Sequence, residues 1–379
     1  MLNSASVMVK LYLPLLFRGS YALDFPMIGA LMAAYGVGCM IGAYASGALM
    51  SRVDPRMLTA ASLCVSGGLV LNLALLPATV WLFILVPATG AADGAFRPAN
   101  LRLVMEAGSP DDATWLQGLH RVSFNFGVAL AGLTAAGLSG IGYPTLFAVA
   151  GIANIAGGCL LARHAGGGAA HHATAAPSRC EAPVDFAPSP WADRAFLLFV
   201  LGQLLALGVF DQMYGTFGLF LIEDYQIGTE WIGYLFSFNA ALIVLAQAPA
   251  MALIARIGLV SASRLGTLLL TVAFPLLNVG RSPAYAFAAM ACITAAEVLL
   301  TPAWALAIIN RSAGRDRGRY LGIFSAAWLG HSLYGPASGT WIYGAFGGHT
   351  LWWVCATTGL AVWVFHWRTL PELSRSSAA

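Results

Sequence analysis

The sequence predicts an all-α membrane protein with twelve transmembrane helices in two pseudo-symmetric six-helix bundles, the first helix truncated. Three observations predict it. Apolar residues make up 59% of the chain and charged residues 9%, whereas a soluble globular chain carries about 25% charged residues. The apolar runs suit helices of about 20 residues, the length that crosses a bilayer; a transmembrane barrel would show alternating segments of about ten residues. The chain is also used twice. Ala91-Ala92-Asp93 is followed by Pro98, and Ala295-Ala296-Glu297 by Pro302, at an offset of 204 residues. The same offset pairs Gly118 with Gly322, Arg52 with Arg256, and Ile28-Gly29 with Ile232-Gly233. A repeat is read before any other feature, and two related halves place a site between them.

In chain order, spans are expected at 1–17, 27–50, 57–76, 80–104, 115–140, 143–162, 194–222, 230–254, 261–278, 284–309, 319–345 and 350–367. Gly and Pro recur inside them, as membrane helices tolerate. Runs such as Gly36 to Gly42 and Gly127 to Gly132 let helices approach closely. Residues 1–162 form the first bundle and 194–379 the second, with a short tail. The linker 163–193, rich in Gly, Ala, Pro and His, buries too little apolar surface to fold alone. Segment seven turns apolar at Ala195, and 195 − 204 places its counterpart at −9, before the chain begins. The first segment therefore lacks about ten residues, and an upstream start is expected. At 1.5 Å per residue its 17 residues span about 26 Å, against a bilayer core of about 30 Å. A short tilted helix in a thinned bilayer is the alternative.

Arginine placement sets the orientation. Arg52, Arg56, Arg102, Arg163, Arg179, Arg194, Arg256, Arg264, Arg311, Arg315, Arg317, Arg319, Arg368 and Arg375 fall on one set of loops and helix ends; Arg18 and Arg281 fall on the other. Fourteen against two makes the first set cytoplasmic, with both termini there, in the plasma (inner) membrane. The six cysteines show no paired spacing, so neither disulfide framework nor zinc site is expected. His164, His171, His172 and Cys180 are too irregularly spaced for a metal. The first residues lack a basic n-region with an uninterrupted apolar core, so no cleaved signal peptide is expected. Neither a GxxxxGK[ST] phosphate loop nor a nucleophile elbow occurs, which argues against ATP-driven transport in cis and against an enzyme. No cofactor and no nucleic-acid partner is expected.

Charge inside the bilayer is the sharpest signal. Segment four's apolar residues return roughly 3–6 kcal/mol on insertion, against a cost of roughly 5–7 for Asp93 and Arg97 together. Those charges must face protein or water. Four residues apart, they share a helix face and are expected to pair. A titratable or substrate-binding site and a structural ion pair are both open readings. Glu297 sits at the equivalent depth, with Thr301 and Trp304 expected on its face and no basic residue within two turns on its own helix. That suits a carboxyl that loads and releases a proton, because intramembrane acids are functional by default; a neutral Glu hydrogen-bonded to a neighbour is the other reading. Asp211 in segment seven finds Lys10, on segment one, as its nearest partner by depth. Such a pair would bridge the halves as a gate, unless each snorkels to water. Arg121 either meets an anion or Asp93, or snorkels toward the cytoplasm. His331, near mid-depth beside Trp328, is a proton relay or a hydrogen-bonded interior histidine. Trp304 and Trp328 lie near ionisable groups and are the aromatics expected against a solute.

Two stretches carry a family resemblance. Gly47-Ala48-Leu49-Met50-Ser51-Arg52-Val53-Asp54-Pro55-Arg56 resembles the cytoplasmic loop signature of the major facilitator superfamily, with Ser51 where the family usually has an acid and Asp54 where it usually has Gly. Arg317-Gly318-Arg319-Tyr320-Leu321-Gly322, followed by Trp328, Gly335-Pro336 and Gly339, resembles helix eleven of its drug-exporter-like members. The matching helix-five stretch has Gly132 where the later copy has Pro336. The resemblance implies two bundles rocking about a central site, gated at these loops. The expected function is secondary active transport of a small organic solute by a monomer in the lipid bilayer. Protons, or another cation, drive it, with export favoured. Asp93 and Glu297 would be the coupling carboxylates, with Arg97 tuning Asp93. An ion-coupled nutrient importer and a transporter-like sensor or scaffold are the alternatives.

Overall fold

The computed structural model describes residues 4–109, 112–163, 189–312 and 317–374. Among them, α1 (Ser4–Gly19), α2 (Phe25–Leu49), α3 (Pro55–Ala74), α4 (Thr79–Met105), α5 (Ala113–Ser139) and α6 (Tyr143–Arg163) precede the linker. After it come α7 (Arg194–Gly215), α8 (Phe217–Glu223), α9 (Glu230–Ala273), α10 (Pro283–Arg311), α11 (Arg317–Phe346) and α12 (Gly348–Ser374). Eight helical stretches among the described residues are long and apolar enough to cross a membrane. This is a multi-pass membrane protein.

These helices do not map one to one onto the twelve expected segments. Segment seven is interrupted between Gly215 and Phe217, giving α7 and the short α8. Segment eight and most of segment nine lie in α9, and the last residues of segment nine, Phe274–Asn278, form a 3-10 turn. The helical geometry of α9 breaks at Gly258 with φ 81° and ψ 162°. A β-carbon strains that conformation, which glycine adopts freely. Helix starts follow ordinary capping chemistry. Asp24 accepts the Met27 N–H at 3.0 Å ahead of Pro26. Asp54 accepts the Arg56 N–H at 2.6 Å ahead of Pro55, and Asp193 accepts the Phe196 N–H at 3.2 Å. Asp54, placed where the family usually has Gly, is thus the cap of α3.

Within the first set α2 packs on α4, and α3 on α4 and α6; within the second, α9 packs on α10 and α12, and α7 on α11 and α12. The two sets meet chiefly through α2 on α11 and α5 on α9. The repeat is visible atom by atom at these seams. A β-carbon on Gly29 would fall 2.1 Å from Thr340 Oγ1, and one on Gly233 would fall 2.3 Å from the Gly132 carbonyl oxygen and 2.7 Å from the Ala136 nitrogen. Gly29 and Gly233 are 204 apart, and so are Ala136 and Thr340. One close contact is therefore made twice, with partners exchanged. Small residues serve because lipid supplies no hydrophobic push between helices, and close backbone packing must hold them.

One end of the interface is shut. Arg18 Nε meets Glu223 Oε1 at 2.6 Å, and the Arg18 guanidinium lies 4.7 Å from the Phe25 ring centroid. Phe25 packs at 4.6 Å on Tyr343, and the Tyr12 hydroxyl donates to the Thr229 carbonyl at 3.1 Å. The α1–α2, α8–α9 and α11–α12 connections thus gather at one end, the end that carries few arginines.

Candidate functional site

The site builds from pairs of positions 204 residues apart. On α2 and α4, the Tyr35 hydroxyl donates to Asp93 Oδ2 at 2.6 Å and the Ser66 hydroxyl, from α3, donates to Asp93 Oδ1 at 2.8 Å. Asp93 is 4% exposed. In the later helices Asn239 replaces Tyr35 and Glu297 replaces Asp93. Asn239 Nδ2 donates to Thr294 Oγ1 at 2.8 Å, and its amide interacts with Glu297. Glu297 is half-buried, so the two equivalent acids differ in access.

The expected Asp93–Arg97 pair does not form. Tyr35 and Ser66 occupy the carboxylate, and Arg97, one turn on, is exposed; among the described residues no ion pair engages it. Arg121 does not reach Asp93 either. It is half-buried on α5 and within electrostatic reach of Glu297 across the interface.

Lys10 on α1 and Tyr214 on α7 are a third equivalent pair. The Lys10 ammonium sits 4.3 Å from the Tyr214 ring centroid and 3.7 Å from Asp211 Oδ1. Asp211 Oδ2 lies 2.6 Å from His331 Nδ1 on α11. Asp211 is 1% exposed. Gly335 backs it, since a β-carbon there would come within 2.9 Å of the carboxylate. Pro336 leaves the Ser332 carbonyl without its helical donor, and Gly36 of α2 packs against that oxygen. The Gly-Pro step therefore seats α11 against α7 and α2 together.

Other expected residues lie elsewhere. Trp304 does not share the cleft with Glu297: it is 1% exposed, with its ring 6.1 Å from Phe199 and 5.7 Å from His366 inside the later helices. Trp328 is half-buried beside Phe324. Arg52, Arg56 and Arg319 are exposed at helix ends. The Arg317 side chain, the histidine-rich linker stretch 164–188 and Cys180 lie outside the described residues. Among the described residues no His, Cys, Asp and Glu group could hold a metal.

Sequence reading missed Ser66, Asn239 and the seat of Tyr214 beneath the Lys10 ammonium. The repeat contained the signal: 10 + 204 gives Tyr214 and 35 + 204 gives Asn239.

Two sets of apolar helices that shield ionisable side chains at their interface define a membrane transporter. The family model of the Major Facilitator Superfamily matches residues 2–312 and, in an overlapping second match, 213–379. The chain belongs to the major facilitator superfamily. Its members are secondary transporters, not enzymes. The structure resembles the nucleoside transporter NupG (TM-score 0.77, 13% identity, 97% of this chain and 96% of that one). It also resembles a POT family transporter in complex with a thioalcohol-conjugated peptide (TM-score 0.77, 12% identity, 99% and 94%). At these identities the likeness is one of fold. No curated protein matches the chain.

Proposed function

We propose that the protein is a proton-coupled exporter of a small organic solute. It works as a monomer by alternating access between residues 1–162 and 194–379, joined by the cytoplasmic linker 163–193. Twelve spans complete the reading, with α7 and α8 forming the seventh and the Gly258 break dividing α9 into the eighth and ninth. The arginine asymmetry supports cytoplasmic termini in a plasma (inner) membrane. The Arg317–Gly322 stretch and Gly335-Pro336 support the exporter-like subtype.

The observation that carries this reading is the position of Asp211. Its carboxylate is buried between an ammonium from the first set of helices and an imidazole from the second. A buried carboxylate held by a charge from the opposite half couples its protonation to the separation of the halves. While ionised it holds Lys10 and keeps the arginine-poor end shut. Once protonated it loses most of that attraction, and α1 is free to leave α7. His331 is placed to deliver the proton. The shut seam at Arg18–Glu223 supports a cytoplasm-open state. The nucleoside and peptide transporters of similar fold favour a polar organic solute over an inorganic ion.

The test is transport in proteoliposomes under an imposed pH gradient, with everted vesicles to read direction. Wild type should move solute only with the gradient, and Asp211→Asn, with Lys10 intact, should lose that dependence. Gradient-driven flux at the wild-type rate in Asp211→Asn would overturn the coupling role.

A further inference from the structure

We propose that the protein carries two equivalent sites for an anionic phospholipid of the cytoplasmic leaflet, one on each half. In each, an acyl chain lies in a groove along α6 or α12, and the headgroup phosphate meets Arg163 or Arg368. Lipid binding of this kind does not depend on transport; it needs only a membrane-embedded chain whose arginine-rich end is cytoplasmic. The first groove, of about 370 Å³, opens between α5 and α6, with Met8 of α1 buried behind it. Its α6 wall includes Ala153, Ala156, Gly157 and Leu160. The second, of about 450 Å³, runs along α12 past Thr357, Leu360, Ala361 and Val364 to Arg368. The four α6 positions and the first four of α12 are pairwise 204 residues apart. The repeat therefore makes one groove twice. Both face outward, since Leu160 is 53% exposed and Leu360 50%. Their volumes fall within the range of about 300–1,000 Å³ usual for ligand pockets.

Length, polarity and charge together choose the occupant. Val149 to Leu160 on α6 and Thr357 to Arg368 on α12 each cover eleven residue steps, about 17 Å of helix. One leaflet supplies about half of a bilayer core of about 30 Å, so each groove is one leaflet long. The walls are apolar. Their two hydroxyls, on Thr134 and Thr357, donate back to their own helices, to the Leu130 and Val354 carbonyls at 2.9 and 3.0 Å. An acyl chain suits such a surface and a polar ligand does not. Each groove then runs toward a cation. Exposed Arg163 stands one turn beyond Leu160 at the end of α6, and three residues apart the two share a helix face. Exposed Arg368 closes the α12 groove. Beside it the Arg264 guanidinium of α9 lies 3.6 Å from the Trp367 ring centroid and donates to the Trp367 carbonyl at 3.1 Å. Among the described residues no ion pair takes up Arg163, Arg264 or Arg368. A guanidinium fork takes a phosphate through two parallel hydrogen bonds, and tryptophan sits at headgroup level.

The test is native mass spectrometry of the purified full-length protein in detergent, supplied with dioleoyl phosphatidylglycerol or dioleoyl phosphatidylcholine. Wild type should retain two molecules of phosphatidylglycerol, each bound roughly fivefold more tightly than phosphatidylcholine, the gain expected from one interfacial arginine. Arg163→Gln and Arg368→Gln should each lose one retained molecule, and the double variant both. Where an arginine variant does not fold, Ala153→Phe serves instead. It fills the α6 groove from an exposed position and should lose one molecule, whereas Ile152→Phe, exposed beside the groove, should keep two. Equal retention of the two lipids, no retained phosphatidylglycerol, or two molecules still held by an arginine variant or by Ala153→Phe would each overturn the proposal.

Discussion

Asp93 and Glu297 show what a repeat does and does not transmit from residue to residue. The sequence marks both as intramembrane acids at one depth, and that is legible from composition and offset. Their different surroundings are not, because Tyr35, Ser66 and Asn239 reach them from other helices. A same-helix pair such as Asp93–Arg97 is the natural expectation from spacing, but a hydroxyl at 2.6 Å from a neighbouring helix meets the carboxylate without burying Arg97 as a second charge. Tyr35→Phe should therefore destabilise the protein by about 1.5–3 kcal/mol, the usual loss for a hydrogen bond to a charged group, seen as a lower melting temperature in detergent. Asp193 gives a pH-dependent counterpart outside the membrane span. Burial pushes its carboxyl up, but the Arg311 guanidinium, the Phe196 N–H and the Tyr320 hydroxyl outweigh it and hold the carboxyl below its usual range. Arg311 makes two contacts of 2.9 Å, and Tyr320 one of 3.0 Å. A depressed folded value means the stabilisation is present above the unfolded value of about 3.9 and fades as pH falls through the folded one. Asp193→Asn keeps the cap, because Asn caps as well as Asp, but loses the charge that Arg311 meets, and should melt below wild type at neutral pH by about 1.5–3 kcal/mol. The two melting curves should converge below about pH 4.

At the scale of elements, the apolar runs located the helices well because a spanning helix must satisfy its own backbone within the bilayer. They could not locate the interruption between α7 and α8 or the geometry at Gly258, which tertiary packing decides. The interface helices α2, α5, α9 and α11 were foreshadowed by their glycines, although only the coordinates show which glycine faces which carbonyl. Gly233→Ala places a methyl carbon within 2.3 Å of the Gly132 carbonyl oxygen, and α5 must move away from α9. Overpacking of this kind costs about 1–3 kcal/mol. Because the overlap lies between the halves, transport should fall at least tenfold while the protein still purifies folded. Gly68→Ala, whose β-carbon would meet nothing within 4 Å, should transport like wild type. Equal transport by the two variants would remove α5–α9 contact from the mechanism.

At the scale of the whole molecule, the duplication makes two alternative closures possible, and the interface contacts show which one this structure adopts. Arg18–Glu223, Phe25–Tyr343 and Tyr12–Thr229 all join the halves at the arginine-poor end. At the other end, Arg311, Asp193 and Tyr320 join later helices to one another. If the halves rock, the first group must break in every cycle and the second need not. The exposed Arg18–Glu223 pair contributes little stability by itself, because surface ion pairs are worth about 0–1 kcal/mol; that makes it suitable as a contact that opens and closes. Replacing both residues with cysteine and bridging the pair with a bis-maleimide that carries a cleavable disulfide should trap the shut seam. Solute flux should stop, and a thiol reductant should restore it. A cysteine placed at Gly322, where the structure leaves open space, should remain reactive to a water-soluble maleimide in the trapped form. Undiminished flux through the cross-linked protein would mean that the arginine-poor seam does not open during transport, and the rocking mechanism would fail with it.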